Sequence, residues 1–322
     1  RVKEAHDNKV VISNSTLTGG QKDAKAKSYV TALYVNALTD PVEMSRNSVT
    51  FSKSTLDGYI WGTWIHSTDR ASVSDTTVIV SKSNIGGNVE GDHVSAYSGD
   101  VIAEGERSVS VSDSTIGGYI QGLSLTASNG DASAQGGSVS VLNNSTVGGS
   151  ITGSSTAVAG TTSADSRASG NTLTIENSKV GSYVYGGLAM NGSDGIAEAS
   201  GNTLDLKNVN ALSLIIPSFA QNNGSGKAVA EGNTVTSQGG TYGGSILVSY
   251  ASAAGNTASA GGNTVTLVGG TYSGGIYGSY AYAARTLSTA GGNTITLRGG
   301  PHDGSIFGSY AYAAGNTSDA QS

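Results

Sequence analysis

The residues most able to do chemistry are the acids and histidines. Glycoside hydrolysis needs two carboxylates held about 5 to 9.5 Å apart. The densest group of acids, Glu90, Asp92, Asp100, Glu104 and Glu106, is spread through a loop-like stretch and reads as solvated. Asp205 stands where most copies of the repeat described below have Thr or Ser, and alignment of the copies brings no acids into one column. His6, His66, His93 and His302 fall in different copies, without the HxH or HExxH spacing that would hold zinc. No Gly-rich segment leads into the GK[ST] helix start of a phosphate cradle, and no GxSxG marks a nucleophile. The sequence therefore assigns no catalytic residue, no metal site and no cofactor.

Binding chemistry is better represented. Tyr250, Tyr280 and Tyr310 share one phase of the repeat, and Tyr282 and Tyr312 another. Stacked at strand spacing, these rings would form a ladder. Its ordinary role is cross-strand packing. Its alternative role is a strip that holds a sugar or a protein, because Tyr is amphipathic and orders cheaply. Trp61 and Trp64, in "YIWGTWIH", lie near a long insertion at residues 18–46. A large aromatic beside an irregular loop is a natural contact site, since loops on rigid scaffolds carry function; Trp61 could equally cap the N-terminal core. Thr-x-Thr pairs at Thr172/Thr174, Thr234/Thr236, Thr264/Thr266 and Thr294/Thr296 form a third pattern, as on an ice-binding face. Asp205 interrupts it, and Thr suits any exposed strand.

All of these residues must be positioned by a repetitive scaffold. The "NTVTL" segment recurs ten times, beginning at Asn8, Asn47, Thr76, Arg107, Gly137, Asn171, Asn202, Asn233, Asn263 and Asn293. The spacings are 39, 29, 31, 30, 34, 31, 31, 30 and 30 residues. Within each copy the third and fifth positions are apolar, as in Val265/Leu267 and Ile295/Leu297, which is the two-residue period of a half-buried strand. The copy at Asn233 keeps Val235 but has Ser237. A second strand carries apolar residues four apart (Leu56/Ile60, Ile116/Ile120, Tyr272/Ile276), with Gly58, Gly118 and Gly274 between them. A fixed Gly implies either positive φ or a place where no side chain fits. A third, small-residue segment includes 131–135, 196–200, 228–231 and 257–260. The Asn that opens most copies, Asn47, Asn171, Asn202, Asn233, Asn263 and Asn293 among them, predicts a buried or turn ladder of stacked amides.

Three strands per ~30 residues cannot bury a core alone, but stacked they bury a continuous one. The prediction is an all-β parallel β-helix of about ten rungs, roughly 48 Å long at strand spacing. It occupies residues 1–322 as one unit, interrupted by the insertion at 18–46. Composition agrees: 48 glycines, 3 prolines and only 12% charged residues, against a usual ~25%. The net charge of -6 gives no support to nucleic-acid binding. No run approaches the ~18 apolar residues of a transmembrane helix, so no membrane insertion is expected. The absence of Cys excludes disulfides and thiolate metal sites.

The "GGNTVTL…GGIYGSYAYA" repeat resembles those in passenger domains of bacterial type V autotransporters, over nearly the whole chain from Asn8 to Ala320. The resemblance implies a right-handed β-helix, part of a longer protein, secreted and displayed at the outer membrane. The implied activity is adhesion, aggregation or biofilm formation, with a host protein, a glycan or another copy of itself as partner. A β-helical polysaccharide-active enzyme and an ice-binding solenoid are the rival expectations. Pattern breaks at 18–46, 154–170 and 207–218 are where a partner would be recognised.

Overall fold

The computed structural model describes residues 3–18, 28–37, 40–160, 163–314 and 317–320. Among these there is no helix, and every named strand pairing is parallel and in register. The chain is a β-solenoid. One rung illustrates the design: Thr264–Val268, a two-residue corner strand Thr271–Tyr272, Ile276–Ala283, then Leu287–Gly291. These stack into sheets 1, 2 and 3 and a short corner ladder between sheets 1 and 2. Sheet 1, built from the "NTVTL" segments, contains 10 strands.

Alternation decides which side chains line the interior. Val78/Val80, Val109/Val111, Leu173/Ile175 and Val265/Leu267 are buried, while the residues between them face outward. At the last rung Leu297 lies at the open end of the stack and is exposed. The apolar pairs placed four apart do not lie on one strand. Leu56 ends the corner strand Thr55–Leu56, and Ile60 lies in Gly58–Ser67 of sheet 2. The glycines between them do not have positive φ. They are required by close approach: a Cβ on Gly274 would stand 2.4 Å from the carbonyl carbon of Gly244 in the rung below. Positive φ is concentrated at two other corners, where Asp, Lys and Asn in early rungs give way to Gly from Gly239 onward on the sheet 1 side.

The core between sheets 2 and 3 changes composition along the axis. Early rungs fill it with Val42, Met44, Ile65, Val94, Leu123 and Leu125. From Ala168 onward its apolar residues are all alanine, joined by the buried polar side chains of Asn191, Asn222 and Ser288, so these sheets must close together to keep interior density. Ser237 has an equally direct cause. Tyr242 and Tyr272 point inward, stacked at 4.9 Å, and Ser237 Oγ meets both hydroxyls at 2.7 and 3.1 Å. An aliphatic residue there would leave two buried hydroxyls unpaired, at about 1–3 kcal/mol each.

The predicted amide ladder is present and buried. Asn171, Asn233 and Asn263 each donate Nδ2 to the Oδ1 of the next Asn at 2.8, 3.1 and 2.8 Å. Ser154, Ser218 and Ser249 on sheet 2 accept from Asn171, Asn202 and Asn233, each at 2.7 Å. This polar column runs beside the apolar core and fixes the register of sheets 1 and 2 together.

The segment 18–46 is not wholly irregular. Ser28–Ala37 pairs with Gly58–Ser67 in sheet 2, and Val42–Ser45 belongs to sheet 3; residues 19–27 and 38–39 lie outside the described residues. The segment 207–218 likewise keeps strand register with its neighbours, as does 154–158; residues 161–162 are not described.

Candidate functional site

All seven aromatic residues singled out from the sequence project from the outer face of sheet 2. Trp61 and Trp64 stand on Gly58–Ser67, and Tyr250, Tyr280, Tyr282, Tyr310 and Tyr312 on the last three rungs. They form two clusters. Toward the C-terminal end, Phe219, Tyr250, Tyr280 and Tyr310 stack with centroids 4.8, 5.3 and 5.0 Å apart and planes within 15°. Tyr282–Tyr312 and Tyr277–Phe307 form parallel columns at 5.6 and 5.1 Å. In-register pairing leaves identical side chains little choice but to stack, so the ladder follows from repetition. Its edges face solvent: Tyr310 is 41% and Tyr312 48% exposed.

The N-terminal cluster differs from the sequence expectation. Trp64 is sandwiched between Tyr34 at 4.6 Å and His93 at 5.9 Å. Trp61 stacks with Tyr29 at 5.1 Å and Tyr59 at 5.9 Å, and its Nε1 is buried without a hydrogen-bond partner. Both tryptophans are half-buried and stack on the strand residues Tyr29 and Tyr34 of the insertion, and Trp61 faces outward and does not cap the core.

Glu90 and Asp92, which the sequence places in a solvated stretch, are buried. Both lie on Val89–Ala96, facing opposite sides of sheet 2. Glu90, 3% exposed on the outer face, accepts from the Tyr119 hydroxyl at 2.6 Å and lies 3.3 Å from His93 Nδ1. Burial, reinforced by this carboxylate, raises the Tyr119 pKa. Asp92 points inward and is fully buried. It occupies the Ser position of the amide ladder, and Arg107, 4% exposed, occupies the Asn position. Arg107 Nη2 donates to Gln135 O and Gly136 O, while Nε and Nη1 have no partner. Thr63, Thr76 and Arg107 face Asp92, but neither carboxylate oxygen reaches hydrogen-bond geometry, and burial pushes its pKa up to about 6.

The expectation that no acids form a column also needs correction. Asp100, Asp131 and Asp165 occupy one corner between sheets 2 and 3 on successive rungs. Each accepts a backbone N–H from the rung above through Oδ1, at 3.0, 2.8 and 2.7 Å. Arg167 also pairs with Asp165. These carboxylates close turns. Glu198 and Glu231, on neighbouring rungs of sheet 3, line a groove of about 710 Å³. Glu198 is held by Arg167 and Ser200, and Glu231 accepts from Ser259. Among the described residues no group of three or more His, Asp or Glu is placed to hold a metal.

On sheet 1, Thr172, Thr203, Thr234, Thr264 and Thr294 form one unbroken column, while Asp205 interrupts the parallel one. No protein-family model, curated protein or solved structure matches the chain.

Proposed function

We propose that the protein is a binding scaffold of the autotransporter-passenger type, displayed at a bacterial surface and acting in adhesion or self-association through the outer face of sheet 2. The observation that carries this reading is the segregation of aromatic side chains. Trp64, Tyr250, Tyr280, Tyr282, Tyr310 and Tyr312 gather on one lateral face, whereas the outer faces of sheets 1 and 3 are mainly Ser, Thr and charged residues. Rings held rigid by stacking lose little entropy on binding, and such residues dominate interface energetics. The partner is a glycan, a host surface protein or a second copy of this chain.

A binding screen against immobilised glycans, host proteins and the protein itself tests the proposal. Trp64→Ala and the double variant Tyr280→Ala/Tyr310→Ala are each expected to weaken binding at least about tenfold, as hot-spot truncations do. Undiminished binding in both would overturn it. The groove containing Glu198 and Glu231 favours one second reading, a polysaccharide-active enzyme; there, Glu198→Gln should abolish turnover of a polysaccharide while leaving sheet 2 binding intact.

A further inference from the structure

Between its two aromatic clusters, sheet 2 carries a depression of about 380 Å³ bordered by Tyr119 and Tyr185 and floored by Gln121, Ser150, Thr152 and Ser155. We infer that this depression is a subsite for a neutral saccharide, an assignment that rests on sheet 2 being the recognition face.

Three observations converge on it. First, one rung supplies only the short side chains Thr152, Ser155 and Ala157 to the outer face, whereas the next rung carries Tyr185, Leu188 and Met190 in the same columns. Thr152 is aligned with Gln121 and Tyr185, and Ser155 with Leu188. The missing bulk creates the hollow. Second, the hydroxyls of Ser150, Thr152 and Ser155 have no protein hydrogen-bond partner, and Gln121 uses only Nε2, on Leu123 O at 3.0 Å. These side chains leave hydrogen-bonding capacity free beside a lining that is otherwise mostly apolar. Third, the walls are half-buried phenol rings. Tyr185 is turned 85° from Phe219 and so lies out of line with the ladder that begins there. A mostly apolar lining of rings with a few free hydroxyls matches the two sides of a sugar, its C–H face and its hydroxyl rim.

Size and charge narrow the ligand. The volume lies at the small end of ligand clefts, about 300–1,000 Å³, which suits about one or two sugar units. No Lys or Arg lines the depression, and the bordering Tyr119 hydroxyl is committed to the Glu90 carboxylate. Uronic and sialic acids would find no countercharge, so neutral hexoses are preferred.

Calorimetric titration of the intact chain with lactose, maltose, cellobiose and glucuronic acid tests the assignment. At least one neutral disaccharide should bind with a millimolar Kd, and glucuronic acid at least about tenfold more weakly. Thr152→Tyr fills the hollow with the residue found one rung on and should fold normally. It and Tyr185→Ala should each reduce neutral-sugar affinity at least tenfold, whereas Thr236→Ala, on the outer face of sheet 1, should leave it unchanged. The inference falls if no neutral disaccharide binds at about 20 mM, or if Thr152→Tyr and Tyr185→Ala both bind as the parent does. The broader reading is scored separately: loss of partner binding in Tyr280→Ala/Tyr310→Ala with no sugar bound would retain the sheet 2 face and remove this subsite.

Discussion

Replacing Arg107 with alanine is expected to destabilise the protein by about 1–3 kcal/mol at neutral pH, because the Gln135 and Gly136 carbonyls lose their donor and Asp92 loses a facing cation. Asp92 would lose the cation that faces it, within a core that already gives its carboxylate oxygens no hydrogen bond. The informative companion is the double variant Asp92→Ser/Arg107→Asn. Asp92 aligns with Thr63 and Arg107 with Thr76, in the columns that elsewhere hold Ser154 and Asn171. The double variant extends the neutral ladder into these rungs, and replacement of buried ion pairs by well-packed neutral groups is neutral or stabilising by about 1–4 kcal/mol.

The pH dependence has a definite sign. The Asp92 pKa is pushed from 3.8 to about 6 in the folded protein, so over that window the folded chain binds more protons than the unfolded one. The stability contributed by Asp92 is complete below about 4 and lost as pH rises through about 6, a change of roughly 3 kcal/mol. Denaturant midpoints should therefore show the double variant gaining on the parent between pH 4 and 7. A pH-independent difference would contradict the assignment.

Asn233→Ala should have an effect at least as large. Asn233 accepts from Asn202 N at 2.9 Å and donates to Ser249 Oγ at 2.7 Å and to Asn263 Oδ1 at 3.1 Å, all within the interior. Alanine leaves several of these buried groups without partners, at about 1–3 kcal/mol each, so a loss of at least about 3 kcal/mol is expected. The same substitution at Asn293, in the partly exposed terminal rung, should cost under about 1.5 kcal/mol because water reaches the freed groups. Equal losses at the two sites would show that burial does not set the value of the ladder. In a solenoid each rung contacts only its neighbours, so hydrogen exchange in Asn233→Ala should rise first in the adjoining rungs.

Repetition made much of this legible. The period-two segments located sheet 1 and its inward residues, and recurring Asn located the ladder, because a parallel in-register stack places like positions on top of one another. The aromatic columns were legible for the same reason. What was obscured lay where a copy departs from consensus. Glu90 and Asp92 resemble loop acids until residues 89–96 are known to be a strand that turns one carboxylate outward and one inward. The Asp100, Asp131 and Asp165 column was hidden by a spacing of 31 followed by 34; aligning the turn before the third segment, instead of the strand, would have revealed it. The corner glycines were recognised as constrained, but sequence did not distinguish positive φ from close approach, which depends on the rung below. The stacking partners of the tryptophans were not legible, because the segment 18–46 reads as an insertion yet supplies the strand bearing Tyr29 and Tyr34.

The chain contains no cysteine, so one introduced thiol can carry a bulky maleimide to a chosen face. Binding to cells, glycans or self should be measured after labelling Ser252→Cys on sheet 2, Thr236→Cys on sheet 1 and Ser259→Cys on sheet 3. These positions face outward beside Tyr282, Thr266 and Thr289 respectively. The account predicts that the label on Ser252→Cys blocks binding at least about tenfold and that the other two leave it intact. Blocking from sheet 1 or sheet 3, with sheet 2 labelled and still active, would contradict it.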